Sequence, residues 1–229
     1  MAERATPKDA LECYRSEIAG LLHSRFKTET VVFYDCIFRK RAQPGSTERS
    51  EPDAVIKRRP ATTAHVDQTT EDSLSTVEKY LSPDMVKQYR NGKSRIRIIN
   101  AWRVLSNPLD DYPLAFCDYF SVEKEDLVAA TQSRPGDDFD IYYVTHNPEH
   151  RWYWLSQQTA EELAIFKTFD SHPGNEPACG YMCSFYTSRL IFILVIPHAA
   201  LSRPDGSGAF TRESVEVRCL LVNTISTEG

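Results

Sequence analysis

The sequence predicts a mainly β fold, an antiparallel double-sheet barrel with flanking helices. Short runs rich in β-branched and aromatic residues recur along the chain, the composition that suits a pleated, half-buried surface. Pro, Gly, Asn and Asp separate these runs, as turns require. Helical periodicity is confined to a few stretches, the pattern of a decorated barrel rather than of alternating β and α units. With 229 residues, 41% of them hydrophobic, residues 1–229 read as one domain with a real core.

In chain order, Pro7–Arg25 places Leu11, Ile18, Leu21 and Leu22 on one helix face. Thr30–Phe38 reads as a strand, and the polar stretch 39–59 as a mobile loop. Ala61–Val66 is a short strand that ends in His65-Val66-Asp67. Glu71–Tyr89 is helical, broken at Ser82-Pro83, where Ser82 can cap the second piece. Arg95–Val104 alternates charge with bulk and reads as a central strand, and Pro113–Asp118 as a shorter one. Ser121–Ala130 is expected to be a short helix. Asp140–His146 and Arg151–Ser156 are expected to form a strand pair about the Asn147-Pro148-Glu149 turn. Thr159–Thr168 is expected to be helical, with Glu161 and Glu162 at its positive end. Leu190–Ile196 reads as a buried strand and Ser214–Val222 as the last one.

The net charge is -5, with both signs interspersed and no basic stripe, so nucleic acid is not an expected partner. The first residues lack an apolar signal core. The longest apolar run, seven residues from Leu190, falls short of the roughly 20 that a membrane helix needs. A cytoplasmic protein without membrane contact is expected, monomeric or homodimeric. Its six cysteines would be reduced; Cys179 and Cys183 have no second pair with which to form a zinc knuckle.

His65 and Asp67 carry the chemistry. On an extended strand, residues i and i+2 point the same way, so the pair can grip one ion. A distant histidine completes a two-His-one-carboxylate face that holds ferrous iron and leaves positions open. His198 is preferred over His172 for that place because Arg212 follows it by one strand's length, with Ser214 on the same face. The order His-x-Asp, His, Arg-x-Ser resembles that of iron oxygenases that use 2-oxoglutarate, in which a basic residue about one strand beyond the distal histidine holds the cosubstrate's far carboxylate, a task that the guanidinium fork suits; Arg218 is the reserve candidate. The same donor set also suits zinc for hydrolysis.

Seven blocks occur along the chain in a specific order. They are Pro60-Ala61 with Ala64–Gln68, Ile99–Arg103, Pro113–Asp118, His150–Tyr153, Phe169–Ser171, Pro197–Ala200 and Arg212–Arg218. Together they resemble the fungal AsaB-type hydroxylase/desaturase family, over roughly Thr30 to Val222. The resemblance implies a double-stranded β-helix, the jelly-roll or cupin-like barrel, and an Fe(II)- and 2-oxoglutarate-dependent dioxygenase acting with dioxygen on a small fungal secondary metabolite. Carried over by position, His65, Asp67 and His198 would hold iron. Arg212, with Ser214, would hold 2-oxoglutarate, and Asn100, Trp102, Arg103 and Tyr153 would line the substrate pocket.

Two departures stand against that pattern. The amino terminus starts later than the family's, which would remove a leading strand or lid. Residues 179–196, charged only at Arg189, read as an atypical insertion or an intron translated in frame. Displacement of His198 by that stretch would leave a catalytically impaired relative that binds a metabolite or a protein. Sequencing the transcript across this region decides the origin: a retained intron is absent from the mature message, a genuine insertion is present.

Overall fold

The computed structural model describes residues 7–41, 57–105, 108–109, 111–134, 136–172, 190–194, 197–202 and 212–225. The chain opens with helix α1, Pro7–Phe26, followed by the long strand β1, Thr30–Lys40, and by β2, Lys57–Arg58. Strand β3 is only His65–Val66, so Asp67 lies just past its end. Helix α2, Thr70–Tyr80, is capped by Thr69, whose hydroxyl accepts from the Asp72 N–H. Helix α3, Pro83–Arg90, is capped by Ser82 and carries Pro83 at its start, where a missing N–H costs nothing. It unwinds at Asn91-Gly92, where Gly92 takes φ +69°, a conformation open to a residue without Cβ. Strand β4, Ser94–Val104, and β5, Leu114–Cys117, come next.

Here the structure departs from expectation. Ser121–Ala130 is not a helix. Two single 3-10 turns, Tyr119–Ser121 and Lys124–Asp126, lead into strand β6, Leu127–Arg134. Asp118 accepts from the Phe120 N–H, and Asp126 accepts from the Glu123 N–H. Such side-chain bonds compete with the helical ladder. Strand β7, Asp137–Val144, and β8, Trp152–Trp154, do not pair with each other. Strand β7 pairs with β6 and β3, whereas β8 pairs with β5. The link between them folds back because His150 and Asn147 both bond the Asp126 carboxylate.

The helix expected over Thr159–Thr168 does not form either: Leu163–Asp170 is strand β9, buried at every position. The Thr-x-x-Glu start resembles a capping box. Glu162 does accept from the Thr159 N–H, yet only one turn forms. Residues 163–166 beyond it are all apolar, and the whole stretch is buried, Lys167, Thr168 and Asp170 included. Strand β10, Leu190–Leu194, pairs parallel with β9; residues 179–189 and most of the expected 39–59 loop lie outside the described residues. Strands β11, His198–Ala200, and β12, Glu213–Thr224, complete the chain.

Two six-stranded sheets result, in the orders β10-β9-β4-β12-β1-β2 and β6-β7-β3-β11-β5-β8. They form the double-stranded β-helix that the sequence predicts. Helix α1 covers the outer face of the first sheet, burying Ile18 and Leu22 against Ile99, Ile165 and Val217. Inside, one end is filled by Ile96, Ile98, Phe169, Leu220 and Val222 under α2 and α3, and the other by Trp102, Val104, Leu114, Phe116 and Phe166. A polar layer lies between them.

At the barrel edge, the fully buried Asp170 accepts two bonds from Arg95, at 2.9 and 2.6 Å, and one from Lys167 at 2.8 Å. Burial alone would raise its pKa, but these partners outweigh burial and hold it below the ordinary carboxylate value. A carboxylate whose pKa is depressed by folding stabilises the protein above its unfolded pKa, and loses that stabilisation as pH falls through the folded value. Asp170→Asn is expected to cost about 3–5 kcal/mol near neutral pH, because it removes a buried carboxylate that both Arg95 and Lys167 engage. In denaturant unfolding the gap from the parent protein should narrow steadily below about pH 4.

Candidate metal centre

Strand pairing assembles the centre. Side chains directly opposite each other in an antiparallel ladder share a face. Across the second sheet, one such row runs Val128, Tyr143, His65, His198, Phe116, Tyr153. The two histidines, 133 positions apart in sequence, are therefore neighbours, with ring centroids 4.5 Å apart. Asp67 enters beside them, its oxygens 3.7 Å from His65 Nε2 and 3.6 Å from His198 Nε2. One ligand atom from each residue lies within 4.8 Å of the others, so the three could hold a single metal ion.

Each donor is fixed from behind. His65 Nδ1 lies 2.8 Å from the Thr63 carbonyl; donation there puts the proton on Nδ1 and leaves the Nε2 lone pair facing Asp67 and His198. Burial, then the neighbouring His198, pushes the His65 pKa down to about 4, which keeps the imidazole neutral and able to bind metal. His198 is wedged against Phe166 and Phe116. Asp67, 4% exposed, accepts from Arg218 Nη2 at 2.5 Å and from Asn100 Nδ2 at 2.6 Å. Burial opposes its ionisation, but Arg218 and the two histidines outweigh burial and hold it well below the usual carboxylate range. The next residues are tied down too. Gln68 donates to Asp72 and Thr76 of α2, and the Thr69 N–H reaches the Asp140 carbonyl of β7.

The structure corrects several site expectations. Arg218 is not spare for a cosubstrate: it clamps Asp67 and donates to Glu216 at 2.9 Å. Asn100 donates to the Asp67 carboxylate. Arg103 faces outward, paired with Glu17 of α1 and lying over Tyr14, because it alternates with the inward Trp102. Tyr153, 54% exposed, lines a cleft of about 650 Å³ with Leu109, Pro113 and Trp152.

Arg212 behaves differently from Arg218. It is 1% exposed, lies over the Trp102 ring at 5.1 Å, and donates to the Tyr112 carbonyl at 2.7 Å and to Ser214 Oγ at 3.3 Å. Among the described residues it has no carboxylate within ion-pair distance. Burial, reinforced by Arg39, pushes its pKa down to about 9. A buried cation without a counter-ion is a ready seat for an anion.

Sequence reasoning misses Arg39, which faces the same side as Ser214 in the ladder, and Tyr143, which sits beside His65 and accepts from Gln132 Nε2 at 2.5 Å. Neither belongs to a motif; only strand register reveals them. The two buried arginines should differ in apo stability. Arg218→Met is expected to cost about 3–5 kcal/mol by stranding Asp67 and Glu216, while Arg212→Met should cost little or even stabilise. Denaturant unfolding of the two metal-free variants reads this difference directly.

Several known proteins share this sequence pattern and shape. The chain is 33% identical over 174 residues to the hydroxylase/desaturase efuI of Hormonema carpetanum, covering 71% of this chain and 52% of that protein. It is 28% identical over 177 residues to the Fe(II)/2-oxoglutarate-dependent dioxygenase nvfI of Aspergillus novofumigatus, covering 76% of this chain and 57% of that protein. The chain thus spans only about half the length of these relatives. Its fold matches a variant of the iron and alpha-ketoglutarate-dependent endoperoxidase NvfI with TM-score 0.73 and 26% identity, over 96% of this chain and 69% of that one. Among the described residues, no helix is long and apolar enough to cross a membrane. A family model described as YDMC, oxidoreductase/YMDC permease-like domain, matches residues 6–222, and the chain belongs to that family.

Proposed function

We propose that the protein is an Fe(II)- and 2-oxoglutarate-dependent dioxygenase that hydroxylates or desaturates a small secondary metabolite in a fungal biosynthetic pathway. The observation that carries this reading is the pairing of two features in one barrel interior: the three-donor face of His65, Asp67 and His198, and the buried Arg212, which among the described residues has no carboxylate within ion-pair distance. The donor set fits ferrous iron, since two imidazoles and one carboxylate on a single face leave the remaining positions for ligands. The names of the relatives and of the similar structures support the same cofactors.

Iron bound there would supply, together with 2-oxoglutarate and dioxygen, the two-electron oxidation of an unactivated C–H bond, with succinate and carbon dioxide as coproducts. The chain does the rest. Arg218 and Asn100 hold the Asp67 carboxylate ionised and oriented. Thr63 sets the His65 tautomer. Arg212, braced by Ser214, Tyr112 and the Trp102 face, binds the far carboxylate of the cosubstrate. Phe116 and Phe166 exclude water from the His198 side, and Tyr143 presents a phenol next to His65 for substrate positioning.

Anaerobic titration of the protein with ferrous iron and 2-oxoglutarate tests the reading. The weak visible charge-transfer band of the chelated cosubstrate should appear for the parent protein and vanish for His198→Ala. Succinate formation should be abolished in His65→Ala, and the 2-oxoglutarate requirement should rise in Arg212→Ala. Undiminished succinate formation by His65→Ala would sink the assignment.

A further inference from the structure

On the inner face of the first sheet, strand register stacks three rows from the metal donors to Arg212. Arg218, Asn100 and Phe166 form the row at Asp67. Arg39, Ser214 and Val104 form the row at Arg212. Between them lies the row of Ile37, Glu216, Trp102 and Ala164. Trp102 is two residues from Asn100 along β4, a rise of about 7 Å. A dicarboxylate with one end at the metal donors and the other at Arg212 must pass this row.

Trp102 carries an unmet group there. Its side chain is 1% exposed, and the indole Nε1 is buried without a hydrogen-bond partner among the described residues. Buried indole N–H groups are ordinarily satisfied. Glu216, in the same row, is already engaged by Arg218 Nε and Asn100 Nδ2, which offsets the repulsion it would offer an anion. On β9, Ala164 stands opposite Trp102 and contributes only a methyl to the row. The guanidinium of Arg212 lies over the ring, which brings an anion seated on Arg212 close to the indole edge.

We propose that the Trp102 indole N–H is a binding donor of this cavity, hydrogen-bonding the distal carboxylate of the 2-oxoacid that Arg212 attracts. One ring then does two jobs: its face braces the cation, and its edge selects a dicarboxylic over a monocarboxylic 2-oxoacid. This rests on the oxygenase reading, and its test separates the two.

The test measures anaerobic binding of ferrous iron, 2-oxoglutarate and 2-oxobutyrate, the last lacking the distal carboxylate, to the parent protein and to Trp102→Phe. The phenyl ring keeps a face for Arg212 and loses only the donor. Trp102→Phe should weaken 2-oxoglutarate about 10- to 100-fold, the loss of one hydrogen bond to a charged group, with iron and 2-oxobutyrate unchanged. In the zinc-loaded, nitrogen-15-labelled parent protein, one of the three indole resonances, assigned to Trp102 with Trp152→Phe and Trp154→Phe, should move on adding 2-oxoglutarate and stay put with 2-oxobutyrate. That spectrum does not depend on the Trp102→Phe variant folding. Equal 2-oxoglutarate affinity in the variant, an equal loss for both oxoacids, or an unmoved Trp102 resonance overturns the proposal. A parent protein that binds iron but no 2-oxoglutarate overturns the oxygenase reading and this proposal together.

Discussion

The Asp67–Arg218 contact in the barrel interior is the interaction on which the rest depends. Asp67 comes from the second sheet, at the end of a two-residue strand, and Arg218 from the middle of the longest strand of the first. Their bond joins the sheets through a polar layer that aliphatic side chains could have filled. Ionic pairs in low dielectric seldom add stability over an apolar core, since desolvation offsets most of the attraction. A charged carboxylate held rigid beside two histidines is what the arrangement secures, and the aliphatic layers above and below provide the folding energy.

The contrast between two arginines six residues apart arises from the same layer. Arg218 faces Asp67 and Glu216, and its protonation is held far above the ordinary range although burial opposes it. Arg212 faces a ring, a carbonyl and a hydroxyl, and burial lowers its pKa. A saturated guanidinium is structural; a desolvated one, with no carboxylate within ion-pair distance among the described residues, would gain from binding an anion. Stability given up at one position and recovered by a ligand is the expected signature of a binding site.

Legibility tracks the range of the interactions involved. The caps at Ser82 and the start of β1 are local and readable from the sequence. Strand β9 is disguised as a helix because its Thr-x-x-Glu opening forms a real turn, and only burial on both faces makes the residues beyond that turn extend. The break at 119–126 is hidden because Asp126 draws its partners His150 and Asn147 from a later loop. Arg103 and Trp102 are adjacent and point to opposite faces, so a block of matched residues could not say which of them enters the barrel.

By itself the sequence determined the fold class, the His65–Asp67 pair and the order in which His198, Arg212 and Ser214 come after it. Those facts are written in strand periodicity, in i and i+2 geometry and in residue chemistry, which need no partner strand. Tertiary structure alone decided that His65 and His198 sit opposite each other, that Arg218 clamps Asp67 while Arg212 packs on Trp102, and that Tyr143 stands beside His65 and Arg39 beside Ser214. The physical reason is register. Which residues share a row across non-adjacent strands depends on the pairing of the whole barrel, and a single residue of slip would have turned each of these side chains to the other face.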